Sequence, residues 1–192
     1  MKYFLSICLF LFLISCKEKY TPKPYGYYRI DFPEEKSYQW TREKLPYTFE
    51  IAGNATIEPD QTPDAEKYWI NIVYPEYNAR INISYKEITT DSSLAGFMQD
   101  CHRMAYVHTV KADAINERLF EKEKGTFGLL YYIEGNTASS TQFFMTDSVK
   151  NFLRGSLYFK AHPNKDSLAP VIDYLRKDII VLMESLQFKK PD

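Results

Sequence analysis

The sequence has little cysteine, little glycine, few histidines and almost no net charge. Three cysteines stand at positions 8, 16 and 101, too few and too dispersed to form a disulfide framework. The seven glycines never assemble into the Lys-Ser/Thr phosphate loop, and no GxSxG elbow occurs. The nearest serine pattern, Arg154-Gly155-Ser156-Leu157, falls inside a predicted strand. His102, His108 and His162 are the only histidines. The first two lie about 120° apart on a helix, so they cannot share a metal from one face. With 24 basic against 25 acidic residues the formal net charge is −1, which supplies no electrostatic footprint for nucleic acid or for an anionic membrane surface.

Long apolar runs are also missing, with one short exception. Met1-Lys2 is followed by an almost unbroken apolar stretch from Tyr3 to Ile14, about a dozen residues. That suits a signal-peptide core and is too short to span a bilayer as a helix. It ends in Leu13-Ile14-Ser15-Cys16, a lipobox: an aliphatic residue, a tolerated middle position, a small residue and then cysteine. Residues 1–15 are therefore expected to be a lipoprotein signal peptide, cut before Cys16, whose thiol takes the lipid. Each buried CH₂ of the acyl chains, palmitate among them, contributes roughly 0.8 kcal/mol, and two or three chains on one residue hold where a single one is marginal.

Residues 16–26 then read as the lipidated cysteine and a tether. Lys17 to Gly26, KEKYTPKPYG, carries two prolines, a glycine and alternating charges, which favour an extended, solvated arm. Lysine at position 17 is not the aspartate that retains many lipoproteins at the inner membrane. The expected location is the periplasm-facing cell envelope, with the outer membrane favoured over the inner.

Residues 27–192 are expected to form a single α+β domain. Tyr27 to Phe32 and Tyr47 to Ile51 read as strands, a Gly53-Asn54 turn follows the second, and residues 55–66 read as a loop. The strongest sheet signal is a hairpin. Ile70, Ile72 and Tyr74 alternate with polar residues, then Ala79, Ile81, Ile83 and Tyr85 do the same, leaving Arg80, Asn82, Ser84 and Lys86 on a wet face. From Asp91 or Ser92 a helix runs to about Lys111, with Leu94, Phe97, Met98, Cys101, Met104, Ala105 and His108 on one stripe. Strands at about 114–122, 126–134, 140–147 and 152–161 continue as a meander. A last helix opens at Asp166-Ser167 with Pro170 in its first turn, and buries Leu168, Val171, Ile172, Leu175, Ile179, Leu182, Met183 and Leu186. The expected architecture is a mostly antiparallel β-sheet with two long amphipathic helices packed on it. This element order is similar to that of the photosystem accessory protein PsbP and its nuclear-transport relative, an analogy that transfers no function.

Candidate chemistry is sparse. Cys101 and His108 suggest a thiol with its base, but both lie on the apolar stripe, where a core role is expected. Glu121 and Glu123 belong to a charged strand end, and Asp147 to a hairpin turn where aspartate bonds its own backbone. No catalytic, metal-binding or cofactor-binding residue is assigned, and no enzyme activity is expected. Sixteen tyrosines, with clusters at Tyr25-Tyr27-Tyr28 and Tyr131-Tyr132, offer a stacking platform for sugars or a partner surface. Half-buried sheet positions explain most of them.

Several segments together resemble the GldD family, gliding-motility lipoproteins of Bacteroidota. They are the lipobox cysteine, Pro22 to Ile30, Trp69 to Ile72, His108 to Asp113, Gly135-Asn136 through Gln142-Phe143, and a run holding Thr146-Asp147-Ser148, Asn151-Phe152 and Gly155 to Phe159. The resemblance implies a part in gliding motility and in the type IX secretion system coupled to it. It also implies partners among the other envelope proteins of that machinery and fits a membrane contact through Cys16, while the near-neutral charge leaves no nucleic acid among the expected partners. Cys16 is the one functional residue carried over. The resulting expectation is a non-catalytic scaffold or assembly factor. The alternative is an envelope lipoprotein that binds a glycan or lipid in an aromatic cleft, which an enclosed pocket lined by tyrosine and tryptophan would favour.

Overall fold

The computed structural model describes residues 29–122 and 125–189. The predicted signal peptide, Cys16, the tether, Tyr25, Tyr27, Tyr28 and Glu123 lie outside them.

The centre is a seven-stranded antiparallel sheet built from β4 (Thr56–Pro59), β5 (Ile70–Tyr74), β6 (Ala79–Glu87), β7 (Ala112–Glu121), β8 (Phe127–Gly135), β9 (Thr141–Thr146) and β10 (Asn151–Phe159). Their spatial order is β4-β5-β6-β10-β9-β8-β7. The last four strands form the expected meander, and β10 then docks on β6 and so joins the first hairpin to the same sheet. Helix α1 (Asp91–Tyr106) continues into a 3-10 turn, Val107–Val110, and helix α2 (Lys165–Ser185) follows the sheet. Three short strands, β1 (Tyr38–Trp40), β2 (Tyr47–Thr48) and β3 (Glu50–Ala52), precede it, and β11 (Gln187–Phe188) returns to pair with β2. The chain is thus α+β, a large antiparallel sheet with one long helix against each face.

Strand alternation decides which helix sees which side chains. One face carries Ile70, Ile72, Ile81, Ile83, Leu153, Leu157, Phe143, Met145 and Leu130, and α2 packs on it with Val171, Leu175, Ile179, Leu182 and Met183. A Cβ at Gly155 would overlap the ring of Phe143 on the neighbouring strand, which is why a strand interior here holds glycine. On the other face α1 buries Cys101 and Ala105 against Tyr131, Ile133, Phe144 and Phe152.

Helix α1 starts with a capping box: Thr90 accepts from the Ser93 amide while the Ser93 hydroxyl accepts from the Thr90 amide, satisfying two otherwise orphaned donors. Its end at Tyr106 plus the 3-10 turn matches the expected span to within a residue.

Several local expectations are corrected. Residues 29–32 are not a strand. Phe32 instead stacks on Tyr174 of α2 with ring centroids 4.5 Å apart, so tertiary packing has overridden strand propensity. The expected loop 55–66 contains β4, an edge strand pairing with β5; its closing Pro59 is tolerated because an edge needs no further donor. Helix α2 begins at Lys165, one residue before the expected Asp166, and Asn164 caps it by accepting from the Ser167 amide. Pro170 consequently lies in the second turn, on the exposed side of the helix. Tyr131 and Tyr132 form no common platform. Tyr131 is buried under α1, while Tyr132, on the opposite face, is covered by the Arg176 guanidinium at 5.1 Å. Asn82, Ser84 and Lys86, expected on a wet face, are half-buried because α1 reaches partly over them.

Candidate functional site

Helix α1 covers the β8–β9–β10 half of its face and stops short of β5. Between the helix and β6 this leaves a cleft of about 250 Å³. Its apolar walls are Trp69, Phe97, Met104 and Tyr158, and its polar groups are Asn82, Ser84, Lys86, Arg154, Asp60 and Asp100. Trp69 is held by its Nε1, which donates to the Tyr85 carbonyl at 2.9 Å. The residue before it, Tyr68, sits at φ +72°, a region that costs a non-glycine residue energy. Its carbonyl accepts from the Tyr47 hydroxyl at 2.7 Å, which pins this turn of the chain.

A row of polar side chains crosses the α1-facing side of the sheet, and of this row Asn82 reaches the cleft. Register places Asn71 opposite Asn82, Asn82 opposite Ser156, Ser156 opposite Gln142 and Gln142 opposite Tyr131. Arg154, two residues from Ser156 and on the same face, donates from Nη2 to Gln142 Oε1 at 2.7 Å. Gln142 in turn donates to the Met104 carbonyl of α1 at 3.4 Å. The guanidinium is therefore aimed by a neutral amide that is itself tied to the helix.

The charges around the cleft differ in how they are matched. Lys86 pairs with Glu66, and Asp100 with Arg103 at 2.8 Å. Among the described residues Arg154 makes no ion pair, although a guanidinium stays charged at any working pH. Its field is felt next door. Burial pushes the His108 imidazole down and Arg154 pushes it further. Burial raises the Cys101 thiol to about 12, with Arg154 opposing only in part. Cys101 is buried in the cluster under α1 as expected, whereas His108 lies half-buried on the 3-10 turn, outside that cluster.

The other candidates are placed as follows. His102 is exposed on α1, stacked on Tyr106 at 4.2 Å, with Nδ1 3.9 Å from Glu117. His162 lies exposed after β10. Asp147 caps the β9–β10 hairpin, its Oδ1 accepting from the amides of Val149, Lys150 and Asn151. Glu121 ends the edge strand β7, exposed. Among the described residues no three His, Cys, Asp or Glu side chains gather to hold a metal. None of the described helices is long and apolar enough to cross a membrane.

Sequence reasoning missed Arg154 and the polar row. The signal was present in Phe152-Leu153-Arg154-Gly155-Ser156, where a charge and a hydroxyl interrupt a strand covered on both faces. It also missed Asp178, which interrupts the apolar stripe of α2 between Leu175 and Leu182.

A family model described as gliding motility lipoprotein GldD matches residues 17–188, nearly the whole chain. The chain belongs to the GldD family. Membership makes it a gliding motility lipoprotein, involved in gliding motility and held at the cell envelope. Of the segments that carry the resemblance, those holding Trp69, Asn71, Gln142, Phe152, Ser156 and Tyr158 converge on the α1-facing side of the sheet. No curated protein matches the chain. Among solved structures it is similar to the solution structure of cyanobacterial PsbP (CyanoP) from Synechocystis sp. PCC 6803. The two are 11% identical, the match covers 86% of this chain and 99% of that one, and the TM-score is 0.49.

Proposed function

We propose that this protein is an acylated, non-catalytic scaffold or assembly factor of the gliding apparatus and of the type IX secretion system, anchored through Cys16 and facing the periplasm. The observation that carries this reading is the family match over residues 17–188. The way the N-terminal segment meets the body supports it. Phe32 stacks on Tyr174, Lys36 donates to Asp178 and to the Tyr174 carbonyl, and the Tyr38 hydroxyl donates to Asp178. A pull on the tether is thus delivered to the longest helix of the domain. From Cys16 to Phe32 the chain reaches at most about 55 Å, so the body stays close to the bilayer. Its partners are other envelope proteins of the same machinery, and the outer membrane is the favoured site.

The test is replacement of Cys16 by alanine, followed by membrane fractionation, colony spreading and measurement of extracellular protein. The expected result is release from membranes with loss of spreading and secretion. Normal membrane retention with full motility would remove anchoring from the mechanism, and intact secretion in a deletion strain would remove the secretion role. The cleft beneath α1 favours a second activity, ligand binding, which is compatible with the first.

A further inference from the structure

Unmet polar atoms gather on the strip of sheet beside α1. Seven buried side-chain polar atoms among the described residues lack a hydrogen-bond partner, and four of them, Asn71 Oδ1, Asn82 Oδ1, Arg154 Nε and Ser156 Oγ, belong to this one patch. Native proteins keep few such atoms, and each asks for a cause. Asn82 and Arg154 line the cleft, and Asn71 and Ser156 flank Asn82 in the row.

The side chains that line the cleft describe what it would take. Arg154 is a half-buried guanidinium, aimed by Gln142 and without an ion pair among the described residues, and its planar fork suits a carboxylate. Asn82 and Ser84 both line the cleft, and a side-chain amide and a hydroxyl can each give or accept a hydrogen bond. Trp69, Phe97 and Tyr158 supply flat apolar surface for the C–H face of a ring. A volume of about 250 Å³ falls below the ~300 Å³ at which drug-sized sites begin, which suits one ring and not an extended chain. A peptide backbone has no strand edge to join here, because β6 and β10 are both paired on two sides. A doubly charged phosphate would meet one cation that has no ion pair among the described residues, with the Asp60 and Asp100 carboxylates in the same lining.

We propose that the cleft between α1 and β6–β10 binds an acidic sugar, a uronic-acid ring with its carboxylate on Arg154, hydroxyls on Asn82 and Ser84, and its C–H face against Trp69 or Phe97. The site goes beyond the anchoring role and does not depend on it.

The experiment uses the full acylated chain in a detergent without a sugar headgroup. Trp40 and Trp69 are the two tryptophans, and Trp40 is exposed on β1, so a Trp40→Phe chain reports Trp69 alone. Its fluorescence is titrated with glucuronate, glucose and acetate. The expected result is a saturable response to glucuronate, with glucose and acetate each at least roughly tenfold weaker. Arg154→Gln should bring glucuronate down to the level of glucose, and Asn82→Ala should weaken both sugars. No saturable response to glucuronate overturns the proposal. So does glucose binding equally well, which removes the carboxylate, or acetate binding equally well, which removes the ring. If Arg154→Gln fails to fold, the comparison of the three ligands on the parent chain decides alone.

Discussion

Lys36 Nζ lies 2.6 Å from Asp178 Oδ1, joining the segment that follows the tether to the middle of α2, 142 positions further along the chain. Both side chains are largely out of water, with 14% and 2% of their surface exposed. The same ammonium stands over the Tyr174 ring at 3.3 Å. Burial pushes Lys36 below the usual lysine range while Asp178 pulls it back up, so the pair holds only because each partner is present.

Asp178→Ala should therefore destabilise the domain by about 3 kcal/mol or more, because it strands a desolvated ammonium. The double change Lys36→Met with Asp178→Leu should recover most of that loss, since the two desolvation penalties disappear together. Urea unfolding of the three chains decides it, and a double variant as unstable as the single one would show that the ion pair itself was favourable.

Gly155→Ala should cost about 1–3 kcal/mol through overpacking, as the new methyl meets the Phe143 ring. Adding Phe143→Leu should relieve part of it. Additive losses in the double variant would place the cost elsewhere.

Asp147 carries a pH dependence of defined sign. Burial acts to raise its pKa, but the Asn151 side chain and amide and the Lys150 and Val149 amides outweigh it and hold the carboxyl below its ordinary 3.8. Its stabilisation is present above that value and is lost as pH falls through the lower folded one. Between pH 4 and 2 the melting temperature of the parent chain should drop more steeply than that of Asp147→Asn, and parallel curves would deny the turn this role.

Cys101 is 3% exposed, and its thiol is raised to about 12. Iodoacetamide at neutral pH should leave the Cys101 peptide unmodified in the folded chain and label it fully in urea, as read by peptide mass mapping. Rapid labelling of the native chain would return Cys101 to the list of reactive thiols.

Most of the layered framework could be read directly, for reasons visible in particular residues. Ile70, Ile72 and Tyr74 repeat every two positions and were found buried on one face. Leu175, Ile179, Leu182 and Met183 repeat at helical spacing and were found on the sheet. Where local and tertiary demands diverged, the reading failed. Phe32 has strand propensity but gains more by stacking on Tyr174, and residues 55–66 read as a loop although they hold an edge strand, which accepts Pro59 at its end. The cleft was less legible still, because Asn82 and Ser84 alternate as any solvent-facing strand residues do. Only the placement of α1 makes them its floor.

The order of residues alone carried the pattern Leu13-Ile14-Ser15-Cys16, the alternation that builds strands and the stripes that build helices, because these depend on neighbours a few positions apart. Which strands adjoin was decided in three dimensions. So were the meeting of Lys36 with Asp178 and the placing of a half-buried Arg154 opposite Ser84. Those contacts join residues far apart in the chain, and their energy appears only once two helices have closed over the sheet and driven water out.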